Sequence, residues 1–243
     1  EIIEAFSERA FLIFAAGALA AYVSQGMTFA LSNYLYYFVW QLSEAQIAIY
    51  PLVLFFSVVA VFVTLGGLHR RYGKAQTGAV TTLVSMTFWL IPYGLHAAGY
   101  WPQLGSNAGA AMLFVFIFIS NAAGVAAVIS ATSMVAEIVE AFEHKTGRRA
   151  EGSFYAGNWL VQKSATGLGI LLAGGMLSLA AFPIGTAPGA VPAAVIASLI
   201  VMYCAAVLTL GLASAFWLAR FPISRDDHER RLAAIAADHG AAP

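Results

Sequence analysis

Ionisable side chains are concentrated in one part of the sequence, between Ser133 and Tyr155. This segment holds seven charged residues: Glu137, Glu140, Glu143, Lys145, Arg148, Arg149 and Glu151. Paired carboxylates can perform general acid–base catalysis, and carboxylates with a histidine can bind a metal. The segment lacks the Glu-x-x-His spacing of helical-bundle metal sites, and His144 has no second histidine or cysteine nearby. The sequence therefore predicts neither a catalytic site nor a metal site here.

Two interpretations of this charged segment remain. It is either a solvent-exposed run of charge or a network of ion pairs. Glutamates three or four positions apart share one face of a helix, and carboxylates near a helix C-terminus oppose its dipole. We therefore expect basic partners for them, either Arg148 and Arg149 after the turn at Gly147, or cations elsewhere in the protein.

A single lysine follows the cluster within an apolar stretch. Lys163 comes about nine residues after the start of the apolar block Phe154–Ala181, or about 14 Å into it at 1.5 Å per residue. A charge near the middle of a bilayer costs at least about 2.5–3.5 kcal/mol, so it normally faces a partner or a wet cavity. The alternative is a lysine that becomes neutral or reaches the membrane surface.

Aromatic and polar side chains share a helical face with this lysine. They recur at helical spacing and comprise Tyr155, Trp159, Gln162, Lys163 and Thr166. Aromatic rings pack against the C–H faces of sugars, while amides and hydroxyls orient sugar hydroxyls. These five residues lie on the fifth of the predicted membrane helices, and we call them the α5 stripe. The stripe indicates a site for a polar ligand such as a sugar. For every member except the lysine, a polar helix–helix interface is the competing interpretation.

The first apolar block carries a weaker polar set. Its members are Gln25, Thr28, Ser32 and Asn33. We interpret the following Tyr36 and Tyr37 as part of an aromatic belt at the membrane surface rather than as ligand contacts. The small residues between Gly167 and Gly175 are interpreted as a close helix–helix contact.

Membrane-spanning helices must position these side chains. The 243-residue chain is 60% hydrophobic and 10% charged, whereas soluble domains carry about 25% charged residues. The sequence predicts an all-α integral membrane protein, and its formal net charge of zero gives no indication of a nucleic-acid partner. Six apolar blocks reach the length of about 20 residues that crosses a bilayer: Phe11–Phe38, Gln46–Leu68, Thr77–His96, Gly109–Ala136, Phe154–Ala181 and Ala193–Ala219.

Apart from Lys163, the Lys and Arg residues occur only at the termini and in alternate loops. They precede the first block or follow the second, fourth and sixth: Arg9, Arg70, Arg71, Lys74, Lys145, Arg148, Arg149, Arg220, Arg225, Arg230 and Arg231. Cytoplasmic loops are enriched in Lys and Arg. The sequence therefore predicts a multi-pass protein of the cell membrane, with residues 1–220 in the membrane unit, both termini in the cytoplasm, and residues 221–243 as a cytoplasmic tail.

The segment "MVAEIVEAFEHKTGRRAEGSFY" and the later lysine resemble a signature of the glycoside–pentoside–hexuronide:cation symporters. These are melibiose-permease-like members of the major facilitator superfamily. The loop "GGLHRRYGKAQ" and the tail "FPISRDDHERRLAAI" are also similar to parts of this family, so the resemblance covers nearly the whole chain. The residues that carry the signature are Met134, Ala136, Glu137, Glu140, Gly147, Arg149, Glu151, Gly152 and Lys163.

The resemblance implies that the six helices are the C-terminal half of a twelve-helix transporter, built as a 3+3 inverted repeat. It implies that a six-helix N-terminal half is the partner, and that this half carries the principal cation-binding aspartates. It also implies that Lys163 lies near the cation and sugar sites. The charged residues of the signature would belong to a cytoplasmic network between the halves.

Our leading hypothesis is a symporter that moves a sugar, glycoside or sugar acid together with Na⁺ or H⁺, and that uses no other cofactor. The substrate and cation cavity would contain the α5 stripe. The cytoplasmic gate would contain Glu137, Glu140, Arg148, Arg149 and Glu151.

Three competing functions stay open. A lysolipid or other amphiphile carrier on the same scaffold would require a wide apolar cleft. A non-transporting scaffold half would act by associating with another polypeptide. An intramembrane enzyme is disfavoured, because the spans contain no evident nucleophile–base pair or metal-binding set.

Overall fold

The protein is a bundle of long helices. The computed structural model describes residues 6–148, 150–183 and 185–223, and all regular structure in these ranges is helical. The six described helices are each long and apolar enough to cross a membrane, which confirms the predicted fold class. They are α1 (Arg9–Tyr34), α2 (Glu44–Tyr72), α3 (Lys74–Ala97), α4 (Asn107–Thr146), α5 (Glu151–Leu179) and α6 (Ala193–Ala219).

Helix α4 is longer than its apolar block. It continues past Ala136, the predicted end, to Thr146. The extension alternates charged residues with Ile138, Val139 and Phe142, which are buried in the bundle, so it is an amphipathic continuation of the helix. Gly147 ends the helix with a φ of 68°, and its N–H donates to the Glu143 carbonyl at 2.7 Å. A glycine tolerates this left-handed conformation without steric cost.

Hydrogen bonds at the start of α2 connect it to the loop before α4. The Ser43 hydroxyl accepts from the Gln46 N–H, and the Gln46 side chain accepts in return from the Ser43 N–H, which forms a capping box. The Gln46 amide also donates to the Gly105 carbonyl and to Asn107 Oδ1, at 3.3 and 3.0 Å. One buried glutamine therefore caps α2 and holds it against the beginning of α4.

The principal helix pairs follow a two-fold pattern. Helix α1 packs on α5 and α6, α4 packs on α2 and α3, and α3 packs on α6. Exchanging α1, α2 and α3 for α4, α5 and α6 returns the same set of pairs. Because two helices lie between the members of each exchanged pair, those members run in opposite directions. This arrangement agrees with a 3+3 inverted repeat.

Glycines allow the α1 and α5 backbones to approach closely. A Cβ atom on Gly26 of α1 would meet the backbone of Thr166, and one on Gly169 of α5 would meet the backbone of Val23 and Met27. Gly174, on the same helix, faces open space. Small residues stabilise membrane helices through such close contact, because lipid gives little hydrophobic driving force for association. The predicted close contact is confirmed at Gly169, while Gly174 takes no part in it.

A buried tyrosine joins three helices by hydrogen bonds. The Trp89 Nε1–H of α3 donates to the Tyr203 hydroxyl of α6 at 2.6 Å, and Thr28 Oγ1 of α1 lies 2.9 Å from the same hydroxyl. Tyr203 is fully buried. In a medium without water, each of these polar groups needs such a partner.

Serine and asparagine side chains connect α4 to its two neighbours. Asn121 Nδ2 donates to Ser57 Oγ of α2 at 2.6 Å, and Ser120 Oγ donates to the Ser85 carbonyl of α3 at 2.8 Å. These contacts fix the rotation of α4 about its own axis, because adjacent residues on it bond to different helices.

Substitutions at two glycines of α5 test the close contact with α1. Gly169→Ala places a methyl group against the α1 backbone, and we expect it to destabilise the protein by about 1–3 kcal/mol, as overpacking does. Gly174→Ala is the matched control, and its expected effect is neutral or slightly stabilising because alanine favours helix. Thermal unfolding in detergent, followed by tryptophan fluorescence, measures both. Equal melting temperatures for the two variants would show that the close contact does not contribute.

Candidate functional site

The basic side chains lie at one end of the bundle, which we call the basic end. It contains the α2–α3 connection, the α4–α5 connection and the start of α1. Lys145 Nζ at the end of α4 lies 3.1 Å from Glu8 Oε2, the residue before α1. This ion pair shows that the start of α1 and the end of α4 meet there. The opposite end carries the α1–α2, α3–α4 and α5–α6 connections.

Helix α5 has three faces with different surroundings. Asn158, Ala165 and Gly169 are buried on the face toward α1. Leu160 and Leu171, roughly 150° away around the axis at 100° per residue, are exposed and apolar. The α5 stripe lies on the surface between these two faces. These three faces suit three different surroundings. One packs on α1, one suits the apolar lipid, and the α5 stripe suits water or another polar group.

The structure brings the α5 stripe together as predicted. Trp159 and Lys163 are exposed, while Tyr155, Gln162 and Thr166 are half-buried. Lys163 Nζ lies 5.5 Å from the centre of the Trp159 ring, within the range of a cation–π interaction. Lys163 is 12 residues from the start of α5 at Glu151, or about 18 Å along the axis. The ammonium is therefore close to the middle of the helix.

The exposure of Lys163 has a physical consequence. Hydrocarbon does not solvate an ammonium, and intramembrane charges face a bundle interior or a water-filled cavity. The six helices leave the α5 stripe uncovered, with Trp159 55% exposed. The stripe accordingly requires water or a polar neighbour that these helices do not supply.

The polar residues of the first block separate in the structure. Thr28 points into the bundle and bonds to Tyr203, and the Ser32 hydroxyl donates to the Phe29 carbonyl of its own helix. Gln25 and Asn33 remain exposed. Four residues that look equivalent in sequence therefore have three different environments.

The two tyrosines after this set also differ from each other. Tyr36 is buried, and its ring centre lies 5.0 Å from that of Tyr50 on α2. The predicted place of Tyr36 in an aromatic belt at the membrane surface is wrong, because its ring packs inside the bundle. A π-helical turn at Leu35–Val39 follows α1 and holds both tyrosines. Tyr37 is half-buried and lines a cavity of about 780 Å³ with Asn33 and Phe182.

Glu137 is the member of the charged segment that lies inside the bundle. Its Oε1 is 3.0 Å from Nζ of Lys74, the first residue of α3, and the side chains are 9% and 28% exposed. The sequence places Lys74 at the same end of the protein but does not pair it with Glu137. The order of the membrane spans places Lys74 and Glu137 at the same end of the bundle. Whether they form an ion pair depends on how α3 packs against α4.

A histidine lies next to this ion pair. His69, near the end of α2, places Nε2 2.7 Å from Ser130 Oγ of α4, and Ser130 Oγ also donates to the Ala126 carbonyl. A lone histidine beside basic residues carries little signal in the sequence, and the packing of α2 on α4 is what brings His69 to Ser130. The ion pair and this hydrogen bond together hold the α2–α3 connection against α4.

The other proposed gate residues occupy the outer part of the basic end. Glu140, Arg148 and Glu151 are exposed, and Arg149 lies outside the described residues. Glu151 is the first residue of α5, where a carboxylate favours the helix dipole. The charged segment is therefore divided between Glu137, which faces Lys74, and residues at the exposed end of the bundle.

Comparison with known proteins connects this arrangement to one family. The model of the family described as MFS/sugar transport protein matches residues 1–225. Searches of curated proteins and of solved structures returned no match. The matched region contains all six described helices and every residue of the α5 stripe.

A double-mutant cycle tests whether the Glu137–Lys74 pair stabilises the fold. Lys74→Ala leaves a buried carboxylate without its cation, and we expect a loss of about 1–3 kcal/mol, between the values for exposed and buried pairs. The double variant Lys74→Ala/Glu137→Ala should recover part of this loss. The matched control is the pair Lys145–Glu8, in which the lysine side chain is 67% exposed; its coupling energy should stay below about 1 kcal/mol.

Chemical unfolding in detergent micelles measures the wild type and the six variants of the two cycles. Equal coupling energies for the two pairs would contradict a structural role for Glu137–Lys74.

Proposed function

Because the chain belongs to the MFS/sugar transport protein family, whose members are transporters rather than enzymes, we propose that it transports a sugar, glycoside or sugar acid together with a cation. The observation that carries this proposal is the α5 stripe. It combines a tryptophan, an amide, hydroxyls and one ammonium on a single uncovered face near the middle of a membrane-spanning helix.

We propose that these six helices work as the C-terminal half of a twelve-helix transporter. A second six-helix half would cover the uncovered faces, and the substrate would bind between the halves. The family match and the two-fold helix pairing support this arrangement. We propose that the protein lies in the cell membrane with its basic end facing the cytoplasm. The distribution of Lys and Arg supports this orientation.

Each member of the α5 stripe has a chemical role in this proposal. The exposed Trp159 ring offers an apolar face to the C–H groups of a sugar ring. Gln162, Thr166 and Tyr155 carry the amide and hydroxyl groups that orient sugar hydroxyls. Lys163 can bond a hydroxyl or a sugar carboxylate, and as an ammonium it also responds to charge brought by a cation.

In this proposal, the positive charge of Lys163 couples substrate binding to cation binding. The resemblance to the cation symporters implies cation-binding aspartates in the other half. If Lys163 neutralises such a carboxylate in the empty transporter, an arriving Na⁺ or H⁺ takes over that role and releases the ammonium toward the substrate. A ligand that binds only after this release is carried with the cation. This is the differential affinity that coupled transport needs.

Charged residues of the segment between Glu140 and Glu151 complete the proposed cycle as a gate. Glu140, Arg148, Arg149 and Glu151 would pair with charges of the other half when the cytoplasmic side is closed, and separate when it opens. Such ion pairs provide two discrete arrangements. Glu137 has a different role in this scheme, because its pair with Lys74 lies within one half. It would keep the gate residues of α4 attached to the α2–α3 connection while the half moves.

Replacing Lys163 tests the proposed coupling. Lys163→Gln should abolish accumulation of substrate against its gradient, because the variant retains a polar side chain but loses the charge that responds to the cation. Uptake into membrane vesicles of the full-length protein, driven by a Na⁺ or a pH gradient, measures this effect. Lys145→Gln is the matched control and should retain uptake. Wild-type accumulation by Lys163→Gln at equal membrane abundance would overturn the assigned role.

A ligand screen tests the sugar-binding site separately. Thermal unfolding of the purified full-length protein should shift upward with its sugar, and more strongly when Na⁺ or low pH supplies the coupling cation. Trp159→Ala should remove the shift, whereas Leu171→Ala, on the apolar face of the same helix, should preserve it. A Trp159→Ala variant that binds the sugar as tightly as the wild type would remove the α5 stripe from the site.

A further inference from the structure

A second cavity lies at the basic end, away from the α5 stripe. It has a volume of about 1080 Å³ and is enclosed by the α2–α3 connection, α3, α6 and the residues that follow α6. No residue of α5 lines it. The side chains that matter for its chemistry are Arg70, Lys74, Val80, Leu83, Leu212 and Phe216.

Helices α3 and α6 form the apolar part of the cavity. The two helices touch at Gly211 of α6, where a Cβ atom would meet the Met86 side chain of α3. Leu212 and Phe216 of α6 and Val80 and Leu83 of α3 line the cavity. All four of these side chains are exposed in the bundle.

The walls and the mouth of the cavity differ in polarity. The walls are the exposed apolar side chains of two membrane-spanning helices. The mouth carries Arg70 and Lys74, and Arg220 lies with its guanidinium carbon 3.8 Å from the centre of the Phe216 ring. Glu137 is the acidic residue in this lining, and it is bonded to Lys74. An apolar groove that runs along the membrane and ends in cations matches an anionic amphiphile.

We propose that this cavity binds an anionic phospholipid of the membrane leaflet at the basic end. The phosphate would bond to Arg70 and Lys74, and one acyl chain would lie between α3 and α6 along Val80, Leu83, Leu212 and Phe216. Basic pockets between membrane helices bind anionic headgroups in this way. The site is independent of the proposed sugar site, because it uses other helices and needs only that the bundle spans a membrane.

Occupation of this site has a consequence for the neighbouring ion pair. A phosphate that reaches Lys74 competes with the Glu137 carboxylate for the same ammonium. The fraction of anionic lipid in the membrane would then determine how firmly the α2–α3 connection is held to α4.

Native mass spectrometry of the purified full-length protein tests the lipid site. The detergent-solubilised protein is titrated with phosphatidylglycerol or with phosphatidylcholine of the same acyl chains. The wild type should retain phosphatidylglycerol in preference. Arg70→Gln, which leaves the Glu137–Lys74 pair intact, should weaken this binding about fivefold, the effect of one cation near an anionic headgroup. Lys145→Gln removes one positive charge elsewhere at the basic end, and it should leave phosphatidylglycerol binding unchanged.

A second variant separates the groove from the charge. Val80→Trp fills the space between α3 and α6 without changing any cation, and it should also lose phosphatidylglycerol. Equal retention of the two lipids by the wild type would overturn the proposal, as would equal losses in Arg70→Gln and Lys145→Gln. It would also be overturned if only a chain truncated after Ile223 bound the lipid, because the tail would then be the occupant of the groove.

Discussion

The absence of water in a bilayer is the constraint on which the structure depends. Backbone groups are satisfied within helices, and polar side chains that enter the membrane need a partner within the protein. The bundle meets this requirement for many of its internal polar groups by bonding them in pairs or small networks, whereas Asn158 Oδ1 and Ser214 Oγ are buried without a hydrogen-bond partner in the described part of the chain. The hydroxyl of Tyr203 holds groups from two other helices, and Asn121 bonds to Ser57 on a neighbouring helix. Against this background, Lys163 is exceptional, because it is an intramembrane charge on an uncovered face.

Close helix contacts replace the hydrophobic effect as the source of cohesion within the bundle. Lipid is as apolar as leucine, so exposed leucines and phenylalanines do not drive these helices together. The α1–α5 contact depends instead on Gly26 and Gly169, where backbone meets backbone. At the basic end, ion pairs such as Glu137–Lys74 act together with buried aromatic packing, in which the Phe154 ring contacts those of Phe11 and Phe142. The basic end therefore adds ion pairs to the packing that holds the rest of the bundle.

The sequence was most informative where a pattern lies within one helix. The length of the apolar blocks predicted the spans, and helical spacing placed Trp159 and Lys163 together on one face, as the structure confirms. It was least informative about contacts between helices, because these depend on how each helix is rotated against its neighbour. The pairing of Glu137 with Lys74 and the burial of Tyr36 both depend on such rotations. Hydropathy alone also missed the last turns of α4, since charged residues there alternate with the buried Ile138, Val139 and Phe142.

The contact between Gly26 and Gly169 has a consequence for any movement of α5 in the proposed transport cycle. No side chain separates the two backbones at that point, so we expect a tilt of α5 to use this contact as its fulcrum. Lys163 lies six residues from Gly169 toward the basic end, or about 9 Å along the axis, and the last turn of α5 lies on the other side. A tilt about the fulcrum swings these two parts of α5 in opposite directions. One rigid helix would thereby open a path on one side of the membrane as it closes the path on the other.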